Sequence, residues 1–280
     1  MLRASILLIG DELLGGFVQD ANSTWLSVRL NELGVPLDRI HVVPDEADAI
    51  DEALQLELAR ERPRVIFTSG GIGSTPDDIT YESVAASLGQ ELVEEPQLAE
   101  QIRKAVDWNA AHDIDVTGEY QWHMLRMARI PAGSELLVRD GGWVPGIRVD
   151  VDGGSPGGGV TIVILPGVPS EFRRIIEATV VDDLLAGVNP PLAVAEVEHG
   201  FPESVLNLCF VDVIERYPDV KLGSYPGSPM IVRLVGPAES VAGARADVEA
   251  YVADMMSRPA TKRLAESWTE RFRAFSSDAS

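Results

Sequence analysis

Between an apolar run ending at Thr68 and an amphipathic stretch beginning at Tyr81 lies the segment SGGIGSTPDDIT, residues 69–80, and it limits the possible folds more than any other part of the chain. A glycine-rich turn joining a buried strand to a helix belongs to α/β architecture. The flanking pattern agrees. Apolar runs at 3–10, 36–43 and 64–68 read as strands, and amphipathic runs at 22–33, 47–62 and 81–88 read as helices, with Asn22 or Ser23 as the cap of the first. Strands alternating with helices predict a mostly parallel sheet. The 69–80 turn then leaves a strand at its carboxyl end, where open α/β sheets bind ligands.

Further along, 96–112 reads as a helix, and 147–152 and 160–165 as strands of a hairpin around GGSPGGG at 153–159. A helix starts at Ser170 and stops before Gly187. Asn189-Pro190-Pro191 cannot continue a helix and predicts a linker. Beyond it, 192–256 reads strand, helix (203–217), strand (231–235), helix (239–256), a small α+β unit. Leu264, Trp268 and Phe272 then form one apolar stripe on a terminal helix. The organisation predicted is therefore 1–188, 189–258 and a tail at 259–280.

Several functions are excluded or disfavoured. The net charge of −21 repels phosphate backbones, so nucleic acid is not an expected partner. The single cysteine, Cys209, precludes an intramolecular disulfide, and the four histidines lack metal-ligand spacing. No run of about 18 apolar residues predicts a membrane span. The amino terminus, MLRASILLIG, has no cleavage site and reads as a buried strand, so a cytoplasmic location is expected. None of the three lysines completes a Walker A loop. Gly71-Ile72-Gly73 is followed by Pro76 where a dinucleotide fingerprint needs its third glycine. Gly153-Gly154-Ser155-Pro156-Gly157 matches GxSxG but sits between strands, so it reads as a hairpin loop and not a nucleophile elbow.

The positive case rests on the 69–80 turn. Gly70, Gly71 and Gly73 leave the backbone bare, so amide N–H groups can approach an anion, and the helix starting near Thr80 adds its positive end. Asp77 and Asp78 beside a phosphate would repel it unless a divalent cation lay between, the usual arrangement for Mg²⁺. One of them is expected to cap the helix, the other to do chemistry. Gly10-Asp11-Glu12 and Pro44-Asp45-Glu46 end two other strands and belong on the same rim. Pro166-Gly167-Val168-Pro169, before Glu171, supplies a further amide-bearing turn.

In combination, GDELL at 10–14, Asn22, VVPDE at 42–46, SGGIGSTPDDIT at 69–80, RMARIPAG at 126–133, VPGI at 144–147 and LPGVPSE at 165–171 resemble the molybdopterin-binding domain family of MogA and MoaB type. The likeness is strongest to the amino-terminal region of CinA proteins and to the domain ahead of eukaryotic FAD synthetase. Ser74 stands where the family pattern has proline, and Met127 where CinA commonly has glutamine. The resemblance implies a three-layer α/β/α domain followed by a small α+β KH-like domain. That second domain lacks a GxxG loop here, which again argues against RNA. It also implies a homo-oligomer, and it ends before CinA's amidase region, so nicotinamide mononucleotide deamidation is not expected. The activity implied is metal-dependent hydrolysis of a nucleotide pyrophosphate such as ADP-ribose or FAD. Asp78 and Asp45 are the expected catalytic residues, and Asp78, Asp45 and Asp11 the expected ligands of a Mg²⁺-like cation. Gly10, Glu12, Asn22, Ser69, Gly70, Gly71, Gly73, Thr75, Asp77, Thr80, Pro166, Gly167, Pro169 and Glu171 are expected to line the substrate, with Thr75 and Thr80 offering hydroxyls. The alternatives are molybdopterin binding or adenylylation in molybdenum-cofactor biosynthesis, or a pterin- or nucleotide-binding module without turnover.

Overall fold

The amino-terminal apolar run forms β1 (Arg3–Ile9), buried along nearly its whole length. In the computed structural model, which describes residues 1–112, 114, 118–139, 144–155 and 158–277 with side chains through 268, the chain continues through α1 (Asp11–Leu14), α2 (Asn22–Glu32), β2 (Leu37–Val43), α3 (Ala47–Leu58), β3 (Arg64–Ser69) and α4 (Thr80–Ser87). Then come β4 (Leu92–Glu94), α5 (Pro96–Ala111), α6 (Gly118–Arg126), β5 (Arg129–Pro131), β6 (Glu135–Leu137), β7 (Gly146–Val151), β8 (Val160–Leu165) and α7 (Pro169–Ile175). The last helix widens into π-type turns over Ile176–Leu185.

Six strands make one sheet in the order β2-β1-β3-β8-β7-β6. The first four run parallel, whereas β7 and β6 extend the sheet antiparallel. Period-two alternation sends neighbouring side chains to opposite faces. Ile6, Leu8, Val65, Phe67, Val163 and Leu165 pack toward α2 and α7. Leu7, Ile66, Ile162 and Ile164 pack toward α3, α4 and α5. With both faces covered, the strands must be apolar on both sides, which is why they read as continuous runs. The architecture is the three-layer α/β/α class.

The chain divides into two compact units, Met1–Asn189 and Pro190–Ser280. Asn189 lies on the first side of that division, and its bonds explain why. Its carboxamide exchanges two 2.8 Å hydrogen bonds with the backbone of Leu2 and donates a third, 2.9 Å, to the Gly34 carbonyl. The predicted linker thus begins with a buried anchor. The second unit has β9 (Ala193–His199), a 3₁₀ turn at Glu203–Val205, α8 (Asn207–Arg216), β10 (Lys221–Tyr225), β11 (Met230–Gly236), α9 (Ala238–Ser257) and α10 (Pro259–Ser277). Its antiparallel sheet has the order β10-β11-β9. Leu264 and Trp268 lie on α10, but the side chain of Phe272 lies outside the described residues. In the β7–β8 hairpin, Pro156 and Gly157 also lie outside them. The short strands β4–β6, helix α6 and strand β10 escape sequence reading.

Candidate functional site

The parallel strands β1, β2, β3 and β8 all end on one rim of the sheet. There the chain after β3 turns sharply. Gly70 has φ 106°, and a Cβ on it would lie 2.2 Å from the Ile9 carbonyl oxygen. Gly71 has φ 65°, and a Cβ there would lie 2.4 Å from the Thr80 hydroxyl. Only glycine fits either place. Thr80 is fully buried, and its hydroxyl donates to the Gly70 carbonyl (2.8 Å) while its N–H donates to Gly71 (2.9 Å). It therefore fixes the loop and offers no hydroxyl to a ligand.

Neither aspartate caps α4, because residue Ile79 precedes the helix without a side-chain cap. Asp78 ties its own turn instead. Its Oδ2 accepts from the Thr75 N–H (2.8 Å) and the Thr75 hydroxyl (2.5 Å), which occupies the second predicted hydroxyl. Arg126 of α6 braces the same turn, donating to the carbonyls of Thr75 (3.3 Å) and Asp78 (3.2 Å) while pairing with Glu82. What the loop leaves free is backbone. The N–H groups of Gly71, Ile72 and Gly73 have no hydrogen-bond partner among the described residues. Three successive free amides make an anion receptor.

Opposite lie carboxylates. Asp45, after β2, accepts the Asp11 N–H at 2.9 Å. Burial pushes its carboxyl above the ordinary range, and although the Asp11 amide lowers it, nearby Asp11, Glu12 and Asp77 raise it further. Negative charge is crowded here. Asn22 joins two other strand ends: its Nδ2 donates to the Ser69 hydroxyl (2.9 Å) and to the Gly167 carbonyl (2.8 Å). It is not the cap of α2. Asp20 takes that role, accepting the N–H groups of Asn22 (2.9 Å) and Ser23 (3.0 Å).

A cleft of about 390 Å³ opens between these turns, within the range of small-molecule sites. Glu12, Asp45, Asp77 and Asp78 give it acidic edges beside Gly10, and Gly71, Ile72 and Gly73 its amide floor, whereas the Gly70 N–H is spent on the Leu165 carbonyl (3.2 Å); Pro166, Gly167 and Glu171 form its far side. Asn22, Ser69 and Pro169 border a smaller adjoining hollow of about 80 Å³. Asp11, Thr75 and Thr80 line neither; they hold other residues in place. An apolar wall of Ile72, Met127 and Val144 escaped sequence reasoning, although RMARIPAG and VPGI contain two of its members.

Among the described residues no three acidic, histidine or cysteine side chains converge as a metal cage. Asp11 in particular contributes its amide to Asp45. The donor chemistry still suits Mg²⁺, which takes one or two carboxylates and completes its shell with water and substrate phosphate oxygens. Among the described residues lining the cleft there is no lysine or arginine.

A parallel rim with a glycine turn facing acidic turns defines the class, and the chain belongs to the family described as "Probable molybdopterin binding domain", which matches residues 5–186. Within that family it is CinA-like. A CinA-like protein of Myxococcus xanthus is 31% identical over 239 residues, 81% of this chain and 52% of the relative. A protein of Aeropyrum pernix is 34% identical over 254 residues, 88% of this chain and 89% of its own. The crystal structure of CinA from Thermoplasma acidophilum superposes with a TM-score of 0.52 at 30% identity, covering 64% of this chain and 96% of that one. No helix among the described residues is long and apolar enough to cross a membrane.

Proposed function

We propose that the cleft hydrolyses the pyrophosphate bond of a dinucleotide-type substrate such as ADP-ribose or FAD, with a divalent cation. The observation that carries this reading is the pairing of three free amides with a crowded acidic rim. The amides favour an anion, and the carboxylates disfavour one unless a cation accompanies it. Gly71, Ile72 and Gly73 would bind phosphate oxygens through their N–H groups. Asp78 through Oδ1 and Asp45 would hold the cation, which when bound polarises phosphorus and lowers the pKa of water. Asp45 would hold the cation through Oδ1, since its Oδ2 already accepts the Asp11 N–H, and the proton released by the attacking water passes to solvent. Water adds to one phosphorus, the bridging P–O bond breaks, and two monophosphates leave.

The test is hydrolysis of ADP-ribose and FAD with and without Mg²⁺, comparing wild type with Asp78→Asn. Asparagine retains an acceptor for Thr75, so the turn should persist. Loss of one charge that stabilises the transition state should lower the rate about 100-fold or more. A variant at the wild-type rate would sink the mechanism. A second reading, binding of a pterin or nucleotide without turnover, draws support from the lack of a three-ligand cage among the described residues. Tight binding with no hydrolysis in the wild type would establish it. Release of pyrophosphate from ATP with molybdopterin would instead indicate adenylylation.

A further inference from the structure

Beside the cleft, and sharing Ile72, Met127 and Val144 with it, is an apolar slot of about 20 Å³. That is room for one water-sized group. Leu98 and Ile102, which are 6% and 5% exposed, line it with Pro145 and the one amide side chain, Gln101. Tyr81, itself 5% exposed, also lines it. The Tyr81 hydroxyl makes no hydrogen bond among the described residues. A phenol in a buried residue normally finds a partner. Burial, with Glu82 and then Asp78 nearby, pushes the phenol up, so it stays un-ionised across the physiological range.

A slot too small for a ring but sized for one heavy-atom group, next to a flat apolar wall, has a specific use. We infer that the substrate's nitrogen heterocycle lies on the Ile72–Met127–Val144 wall with an exocyclic amino group in the slot, donating a hydrogen bond to the Tyr81 hydroxyl oxygen. The substrate class is thereby narrowed to diphosphates bearing such a ring. The inference rests on the phosphate-binding reading above, since the amide floor and the wall belong to the same cleft. Tyr81 is then a specificity-determining residue. It is not placed at the reacting atoms.

The experiment is calorimetric titration of the full chain, in Mg²⁺, with ADP, with the 5′-diphosphate of purine riboside (which lacks the exocyclic amine) and with inorganic pyrophosphate. Wild type should bind ADP about three- to tenfold more tightly than the purine riboside diphosphate, the range for one net hydrogen bond. Tyr81→Phe keeps the ring in the core and should erase that preference while leaving pyrophosphate affinity unchanged. Equal wild-type affinity for the two nucleotides overturns the inference, as does a preference that survives in Tyr81→Phe. If pyrophosphate binds in either case, the phosphate-binding reading stands. Failure of all three ligands to bind overturns both.

Discussion

Replacing Asp45 with asparagine should stabilise the fold while damaging the site. Three effects compete. The charge-assisted bond from the Asp11 N–H, 2.9 Å long, weakens by about 1 kcal/mol when its acceptor becomes neutral. Repulsion from Asp11, Glu12 and Asp77 disappears, and three screened pairs of this kind amount to a few tenths of a kcal/mol each. The desolvation cost of a partly buried carboxylate also disappears. The upward displacement of the Asp45 carboxyl shows that burial and repulsion together outweigh the amide. The net gain, discounted for solvent exposure, is roughly 0.3–1 kcal/mol, or about 1–3 °C in Tm. The sign with pH follows. A carboxyl raised in the folded state carries its proton more readily there than in the unfolded chain, so its contribution is fully present at low pH and lost as pH rises through the raised value. Thermal unfolding between pH 3.5 and 8 should therefore show the variant and wild type converging at the acid end and separating toward neutrality. Millimolar Mg²⁺ should raise the wild-type Tm more than the variant's. A variant that melts below wild type at pH 7, or a gap that does not change with pH, would refute the balance drawn here.

Two further substitutions probe how the site is held. Gly70→Ala would place a methyl 2.2 Å from the Ile9 carbonyl oxygen at φ 106°, so backbone strain and overlap should cost about 3 kcal/mol or more; a urea midpoint shifted by less than the equivalent of 1 kcal/mol would contradict the turn geometry. Arg64, 1% exposed at the start of β3, pairs with equally buried Glu57 at 3.0 Å and with Asp38 through two 3.0 Å bonds. Arg64→Ala should cost about 3 kcal/mol, the lower end for breaking a buried pair, because Glu57 keeps His41 at 2.9 Å and the more distant Arg60 at 3.7 Å; denaturant unfolding measures it, and Arg64→Ala with Glu57→Ala should recover part of it.

Much of the first unit was legible because the parallel sheet is covered on both faces. Such strands must be apolar through their centres, and β1, β3 and β8 are, over Ile6–Ile9, Val65–Phe67 and Ile162–Leu165. The elements that escaped carry weaker constraints. Strands β4, β5 and β6 have three residues each, too few for a period to show. Helix α6 has no buried residue, hence no apolar stripe to read. Strand β10 is interrupted by Gly223 and is nowhere fully buried. The boundary near residue 189 was marked by two prolines, but that Asn189 would be tied to Leu2 and Gly34 could not be read, since those partners are 187 and 155 residues away.

At the site, position along the chain was legible and side-chain duty was not. The turns that form the rim follow from topology: every parallel strand ends on the same side. Which atom of each turn faces the ligand depends on hydrogen bonds that sequence spacing does not determine. Thr75 and Thr80 carry hydroxyls that suggested ligand contact, yet each spends its own on the protein, Thr75 on Asp78 and Thr80 on Gly70; Asn22 donates its Nδ2 to Ser69 and Gly167, while its buried Oδ1 has no partner among the described residues. The reason is physical. A glycine turn with free amides has few contacts of its own to define its shape, so nearby side chains must define it. The Gly71–Gly73 amides can remain unpaired because the hydroxyls and the Asp78 carboxylate on either side are satisfied within the loop. Substitutions at Thr75 or Thr80 should accordingly act through loop geometry, weakening phosphate and nucleotide binding together, whereas a residue on the ring-bearing wall would separate the two.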